Sequence, residues 1–282
     1  MRIAFVQKLI NRLRNKDQKF FEFCVKIFTD KYLGAKKIKY KTMILGSSHF
    51  AVAYRAEEGE YNFALPSQDL YYSWNLYEKY NTADVKNIIL SFSVFTTGHN
   101  MIKSPLASYS IFYKQIFNIP YMTQELADAK ELYKDEEKYD NAIKKYLKNP
   151  KLPKDFYGSF NTLTTSKKKN KDLLTNAQKH WKCGQYKPNQ MQYFFNLLNA
   201  TKNNNQTFYV VIPPVTSRYK KLIPTSDIIF KDLYEAVKNY NHVRILNYYN
   251  SEDFNDKDFL DGDHLSIKGG EKLTSMIKNA MK

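Results

Sequence analysis

A chain of 282 residues with 43% hydrophobic and 16% aromatic content has enough apolar surface to bury a core, which excludes global disorder. Its formal net charge of +16 implies attraction to something anionic: nucleic acid, an anionic bilayer surface, or an acidic glycan or phosphorylated carrier. Nucleic acid ranks lowest, because no RNA-binding signature, zinc spacing or helix-turn-helix pattern accompanies the charge and the lysines are spread along the chain. The two cysteines, Cys24 and Cys183, make no disulfide framework and have no metal-ligand spacing. No metal or organic cofactor is implied, and a reducing cytoplasm is the expected compartment. No apolar run approaches a membrane span, and basic residues interrupt the N-terminal apolar positions, so neither a cleavable signal nor a transmembrane helix is expected.

Residues 1–39 carry apolar side chains at helical spacing (Ile3, Val6, Leu9, Ile10, Leu13, then Phe20, Phe21, Cys24, Ile27, Phe28) against a basic face. One or two amphipathic helices follow. They either meet anionic lipid at the inner membrane face or pack on the domain's own surface, and helical stripes more often do the latter. Past the linker Gly34–Tyr40, short apolar strands are predicted at Thr42–Leu45, Tyr61–Leu65, Val85–Phe92, Thr207–Ile212 and Val243–Tyr248. Helices are predicted between them: from Ser67 as N-cap to about Tyr80, Pro105–Phe117, Asn189–Lys202, Ser226–Asn239 and finally Ser266–Met281. Residues 118–186, with a helix over Gln124–Leu147, two prolines and the Lys167–Lys171 run, lack a strand pattern and read as an insertion. Five strands alternating with helices describe an α/β domain over residues 40–282, built on a doubly wound parallel sheet.

In such sheets ligands sit beyond the carboxyl ends of the strands. Gly46-Ser47-Ser48, Pro66-Ser67, the loop after Phe92, Pro213-Pro214 and the Asp261 loop all fall there. Asp261, three residues before His264, can fix the imidazole tautomer and leave the other ring nitrogen as a general base. Ser48, at the abrupt end of the Met43–Leu45 run, is a candidate nucleophile for it. Taken singly these features have ordinary uses: Ser47-Ser48 as a polar turn, Asp261 and Asp263 as caps of the last helix.

Together, Ile44-Leu45-Gly46-Ser47-Ser48 and Asp261-Gly262-Asp263-His264-Leu265, followed by Ser-Ile-Lys-Gly-Gly, resemble the first and last blocks of the SGNH (GDSL-like) hydrolase and acyltransferase superfamily. The resemblance covers residues 40–117 and 187–282. It implies a flavodoxin-like sheet and a triad of Ser48, Asp261 and His264. It also implies an oxyanion hole from the Ser48 and Ser67 backbone N–H groups and Asn100. Three departures stand out: Ser47 replaces the family aspartate, Ser67 replaces a glycine, and Met101 follows Asn100 where an aspartate is usual. The Gly-Ser-Ser-His variant and Pro213-Pro-Val-Thr-Ser-Arg-Tyr219 are similar to proteins of bacterial surface-polysaccharide O-acetylation.

The resemblance implies serine-dependent acyl transfer, O-acetyl above all, to or from a carbohydrate or glycolipid, with the acyl donor unspecified. The alternatives are an esterase with the same triad and a non-catalytic glycan-binding protein. His49 either lines the pocket or packs beneath the loop. His180, beside Trp181, either contacts substrate or is structural. Tyr71, Tyr72 and Trp74 either stack on a sugar or belong to the core.

Overall fold

The computed structural model describes residues 2–104, 106–122, 134–160, 170–185 and 190–282, with side chains from residue 17 in the first span and from residue 176 in the fourth. The starts of the helices predicted at Pro105, Gln124 and Asn189 therefore lie outside the described residues, as do Lys167–Lys169. The side chains of Ile3, Val6, Leu9, Ile10 and Leu13 lie outside them too.

Five strands, β1 Tyr40–Leu45, β2 Gly59–Asn62, β3 Asn87–Ser91, β4 Thr207–Ile212 and β5 Val243–Asn247, form one all-parallel sheet in the order β2-β1-β3-β4-β5. That order is compatible with a flavodoxin-like fold and reverses direction between β1 and β3. Side chains alternate between the faces as the strand period requires. Met43, Leu45, Ile88, Leu90, Phe208, Val210 and Ile212 enter the larger core, whereas Ile44, Ile89, Tyr209 and Val211 enter the smaller one. Both faces are thus apolar, which is why the strands read as continuous runs.

In chain order α2 spans Ser48–Ala53 and α6 Asn170–Gln185, and the larger core is roofed by α1 Arg2–Lys37, α3 Leu70–Tyr80, α4 Tyr109–Phe117, α5 Glu136–Leu147 and α7 Gln190–Asn203. The N-terminal stretch is one helix that runs past Gly34, and its second half is core: Phe28 stacks on Phe112 at 4.6 Å between ring centroids. Lys31 is fully buried against β2, where its ammonium donates to the Asn62 carbonyl at 2.6 Å, and burial lowers its pKa. Tyr71 and Tyr72 are buried in the same core, so they are packing residues.

The smaller core lies under α2 Ser48–Ala53 and the last helix, α11 Ile267–Ala280. A Cβ on Gly270 would stand 2.6 Å from the Ala53 carbonyl oxygen. Glycine therefore lets α11 approach α2 closely, and Thr274 Oγ1 seals the contact by donating to Ala53 O at 3.2 Å. This contact brings the start of the last helix beside the end of β1.

Several boundaries differ from expectation. Strand β2 ends at Asn62, although Phe63 and Leu65 still donate to Ile44 and Gly46 carbonyls at 2.7 and 3.1 Å. The cap of α3 is Asp69, whose carboxylate accepts from Tyr72 N–H, and not Ser67, which adopts φ +59°. The predicted Ser226–Asn239 helix is broken at Phe230 into α9 Ser226–Ile229 and α10 Lys231–Val237, because Phe230 leaves helical geometry to enter the core. The short helices α2 and α8 Ser217–Lys220 have too few residues to show a periodicity. Among the described residues no helix is long and apolar enough to cross a membrane.

Candidate active site

The path of β1 beyond Leu45 is set by Gly46, at φ +128° with its would-be Cβ 2.0 Å from Ser91 Oγ. Only glycine fits this turn without displacing β3. The Ser47 carbonyl then accepts from Phe50 and Ala51 N–H at 3.1 Å each, starting α2 with Ser48 as its first residue. Ser48 is half-buried at the mouth of a cleft of about 520 Å³.

The second half of the site comes from the loop before α11. Asp261 Oδ1 accepts from the Asp263 and His264 backbone N–H groups at 3.1 and 2.8 Å, folding the carboxylate back over its own loop. Leu260 N–H donates to His264 O, and the Gly262 carbonyl accepts from Thr216 N–H at 2.9 Å, which ties the loop to the end of β4. Helix α11 is capped by Ser266, so neither Asp261 nor Asp263 is its cap.

These two halves meet. Ser48 Oγ lies 2.8 Å from His264 Nε2, and His264 Nδ1 lies 3.1 and 3.2 Å from the Asp261 carboxylate oxygens. With Nδ1–H donated to the carboxylate, Nε2 is the acceptor for the serine hydroxyl. A hydroxyl, an imidazole and a carboxylate in this order can pass a proton from the first to the second while the third steadies the cation.

Asp263, expected only as a cap, is instead the centre of a second set of contacts. It is buried, with His49 Nε2 and His180 Nδ1 each 3.2 Å from Oδ2 and His264 Nδ1 3.4 Å from Oδ1. Burial pushes its pKa up, but the imidazoles, His264 foremost, outweigh this and hold it well below the carboxylate range. Burial likewise opposes ionisation of His264, yet Asp263 and Asp261 overcome it and raise the imidazole pKa. His264 in turn keeps Asp261 below its ordinary value against the effect of burial.

His49 does not line the cleft. It packs beneath the loop, 4% exposed, with Nδ1 3.0 Å from both Ser47 Oγ and Ser93 Oγ. Burial lowers its pKa and keeps it neutral, so Nε2–H donates to Asp263. His180 does reach the cleft, from α6 Asn170–Gln185, and its Nδ1 is also 2.8 Å from Tyr219 Oη.

The expected oxyanion donors share the cleft. Ser67 holds the left-handed conformation that glycine favours, steadied by His99, whose Nε2 lies 2.9 Å from Ser67 Oγ and 3.0 Å from Ser67 O. Burial pushes the His99 pKa down to about 4, so this ring is neutral. Asn100 is buried at the cleft wall with its carboxamide oxygen accepting from Ile102 N–H at 3.0 Å. The loop that carries it is pinned by Asp69, which accepts from Met101 N–H at 2.9 Å. Asp69 was legible only as part of a helix start, and nothing in its spacing announced a second partner 32 positions away.

No protein-family model matches the sequence, and no curated protein matches it significantly. Among the described residues His49, Asp263 and His264 bring ligand-type atoms within 4.8 Å of one another. A cation there would have to displace the hydrogen bonds just described, and these already satisfy the carboxylate.

Proposed function

We propose that this protein is a serine-dependent acyl-transfer enzyme of the SGNH-like hydrolase and acyltransferase type. It moves an acyl group, most simply acetyl, to or from a carbohydrate during bacterial surface-polysaccharide synthesis in the cytoplasm. The observation that carries the reading is the 2.8 Å contact between Ser48 Oγ and His264 Nε2, backed by Asp261. The flavodoxin-like strand order and the left-handed backbone of Ser67, where the resembled family has glycine, support the SGNH assignment.

In this mechanism Ser48 Oγ attacks the acyl carbonyl as its proton passes to His264 Nε2. The Ser48 and Ser67 N–H groups and the Asn100 amide receive the developing oxyanion. Collapse of the tetrahedral intermediate expels the donor alcohol, which takes the proton back from His264 and leaves an acyl-Ser48. The acceptor hydroxyl then gives its proton to His264, attacks the ester and restores Ser48. With water as acceptor the same site is an esterase.

The test is covalent labelling by a fluorophosphonate, followed by turnover of a chromogenic acetyl ester with and without sugar acceptors. Wild type should label at Ser48, Ser48→Ala should not, and acceptor should speed ester consumption if transfer is the activity. Absence of labelling in the folded wild-type protein would leave a glycan-binding protein as the better account.

A further inference from the structure

The walls of the Ser48 cleft differ from its floor in charge. Behind the reacting groups lie two carboxylates, but Asp261 and Asp263 are screened by imidazoles, with side chains only 8% and 5% exposed. Among the described residues no aspartate or glutamate lines the cleft, whereas Lys103 and Lys179 both do. Lys103 stands on the loop after β3, beside Asn100. Lys179 stands on α6, one position before His180 and one turn before Cys183, which also line the cleft. Gln178, Trp181 and Lys182, on the other side of that helix, line a separate groove. Lys179 is therefore on the face of α6 turned toward Ser48, and the residue is exposed.

The charge of Lys179 is felt within the cleft. Burial, the main cause, lowers the His99 pKa, and Lys179 lowers it further; the same charge opposes the rise that burial gives the Cys183 thiol. His99, on the loop after β3, and Cys183, on α6, both line the cleft with Lys179. Phe95 and Leu106 give the remaining wall an apolar surface for the uncharged part of a substrate.

Resting on the acyl-transfer reading, we propose that the substrate of the Ser48 cleft carries an oxyanion, the carboxylate of an acidic sugar or a phosphate ester, recognised by Lys179 together with Lys103 of the loop after β3. The excess positive charge of the chain raises the local concentration of such a substrate, and the two lysines discriminate it from a neutral one.

The experiment is an equilibrium titration, followed by NMR, of the Ser48→Ala protein, which binds without turnover. Three probes of one ring geometry are compared: a neutral hexoside, the matching hexuronate and the hexose 6-phosphate. At least one anionic probe should bind on the order of tenfold to a hundredfold more tightly than the neutral one, the range for a hydrogen bond to a charged group. Lys179→Gln should remove most of that preference, and added salt should weaken it. The better of the two anions identifies carboxylate or phosphate as the group read. Equal binding of charged and neutral probes would overturn the inference, as would a preference that survives Lys179→Gln combined with Lys103→Gln. Labelling of wild-type Ser48 is read separately, so failure of the catalytic proposal is told apart from failure of this one.

Discussion

The imidazole of His49 lies parallel to that of His264, with 4.7 Å between centroids and 5° between planes. One of these rings is the proposed base and the other is buried and neutral, and both bond the Asp263 carboxylate. Through Ser47 and Ser93, His49 also ties that carboxylate to the ends of β1 and β3. The site is thus held by a ring of contacts from three loops, with Asp263 as the shared partner.

The two carboxylates on His264 have separable effects. Because they raise its pKa, the rate of ester cleavage should keep rising with pH above the ordinary histidine range, as the base loses its proton. Asp263→Asn removes one nearby negative charge and should move that limb downward by roughly 1 to 2 pH units. Asp261→Asn should instead lower kcat, by about a hundredfold to ten-thousandfold, by disturbing the tautomer. A pH profile of kcat/KM for an aryl acetate measures both. An unmoved limb in Asp263→Asn would mean that Asp261 alone sets the base.

Asp69 makes stability depend on pH in a defined direction. Burial pushes its pKa up to about 7, against the backbone N–H groups it accepts from, those of Met101 and Tyr72 foremost. The folded state then holds a proton that the unfolded state has released, so stability present below pH ~4 is lost as pH rises toward 7. Between pH 5 and pH 8 the loss should be roughly 2 to 3 kcal/mol from this group. Asp69→Asn, which keeps an acceptor without the charge, should flatten that part of the curve. Urea unfolding at the two pH values is the check; parallel curves for wild type and variant would exclude Asp69 as the source.

How much of this was legible in the sequence depended on how local each feature is. Ser48, Asp261 and His264 are legible because each sits where an apolar run ends or a capped helix begins, and parallel strands bring such ends to one rim. Strand positions were legible for the same reason, since both faces of the sheet are buried. Asp263 is not legible as a shared partner, because a carboxylate before a helix has a common local use and its partners, His49 and His180, are distant in the chain. For His49 the sequence allows both lining and packing, and only the positions of Ser93 and Asp263 decide between them. The break at Phe230 was invisible because an aromatic residue fits a helical pattern as well as it ends one.

Gly46 carries the turn that aims the nucleophile. Gly46→Ala would meet Ser91 Oγ at 2.0 Å in a left-handed-side conformation. The backbone cost and the overlap together should destabilise by roughly 2 to 5 kcal/mol. In the background of Ser91→Gly only the backbone share should remain, so the double variant should recover about half of the loss. Denaturation midpoints of the four proteins give the coupling. Full additivity would show that the turn relaxes away from β3.

Ser67 tests whether its backbone or its hydroxyl matters. A serine at φ +59° bears a conformational cost of about 1 to 2 kcal/mol that glycine avoids. Ser67→Gly keeps the N–H and the carbonyl contact with His99 and loses only the hydroxyl's contacts with His99 and Ser104, so ester turnover should stay within about threefold of wild type if the backbone is the oxyanion donor. Ser67→Ala lacks the hydroxyl equally but keeps the strain, and should be about 1 kcal/mol less stable than the glycine variant. Thermal unfolding separates these two, and kcat/KM reads the donor. A loss of about a hundredfold or more in Ser67→Gly, of the size expected for a lost oxyanion donor, would transfer the role from the N–H group to the hydroxyl and its bond to His99.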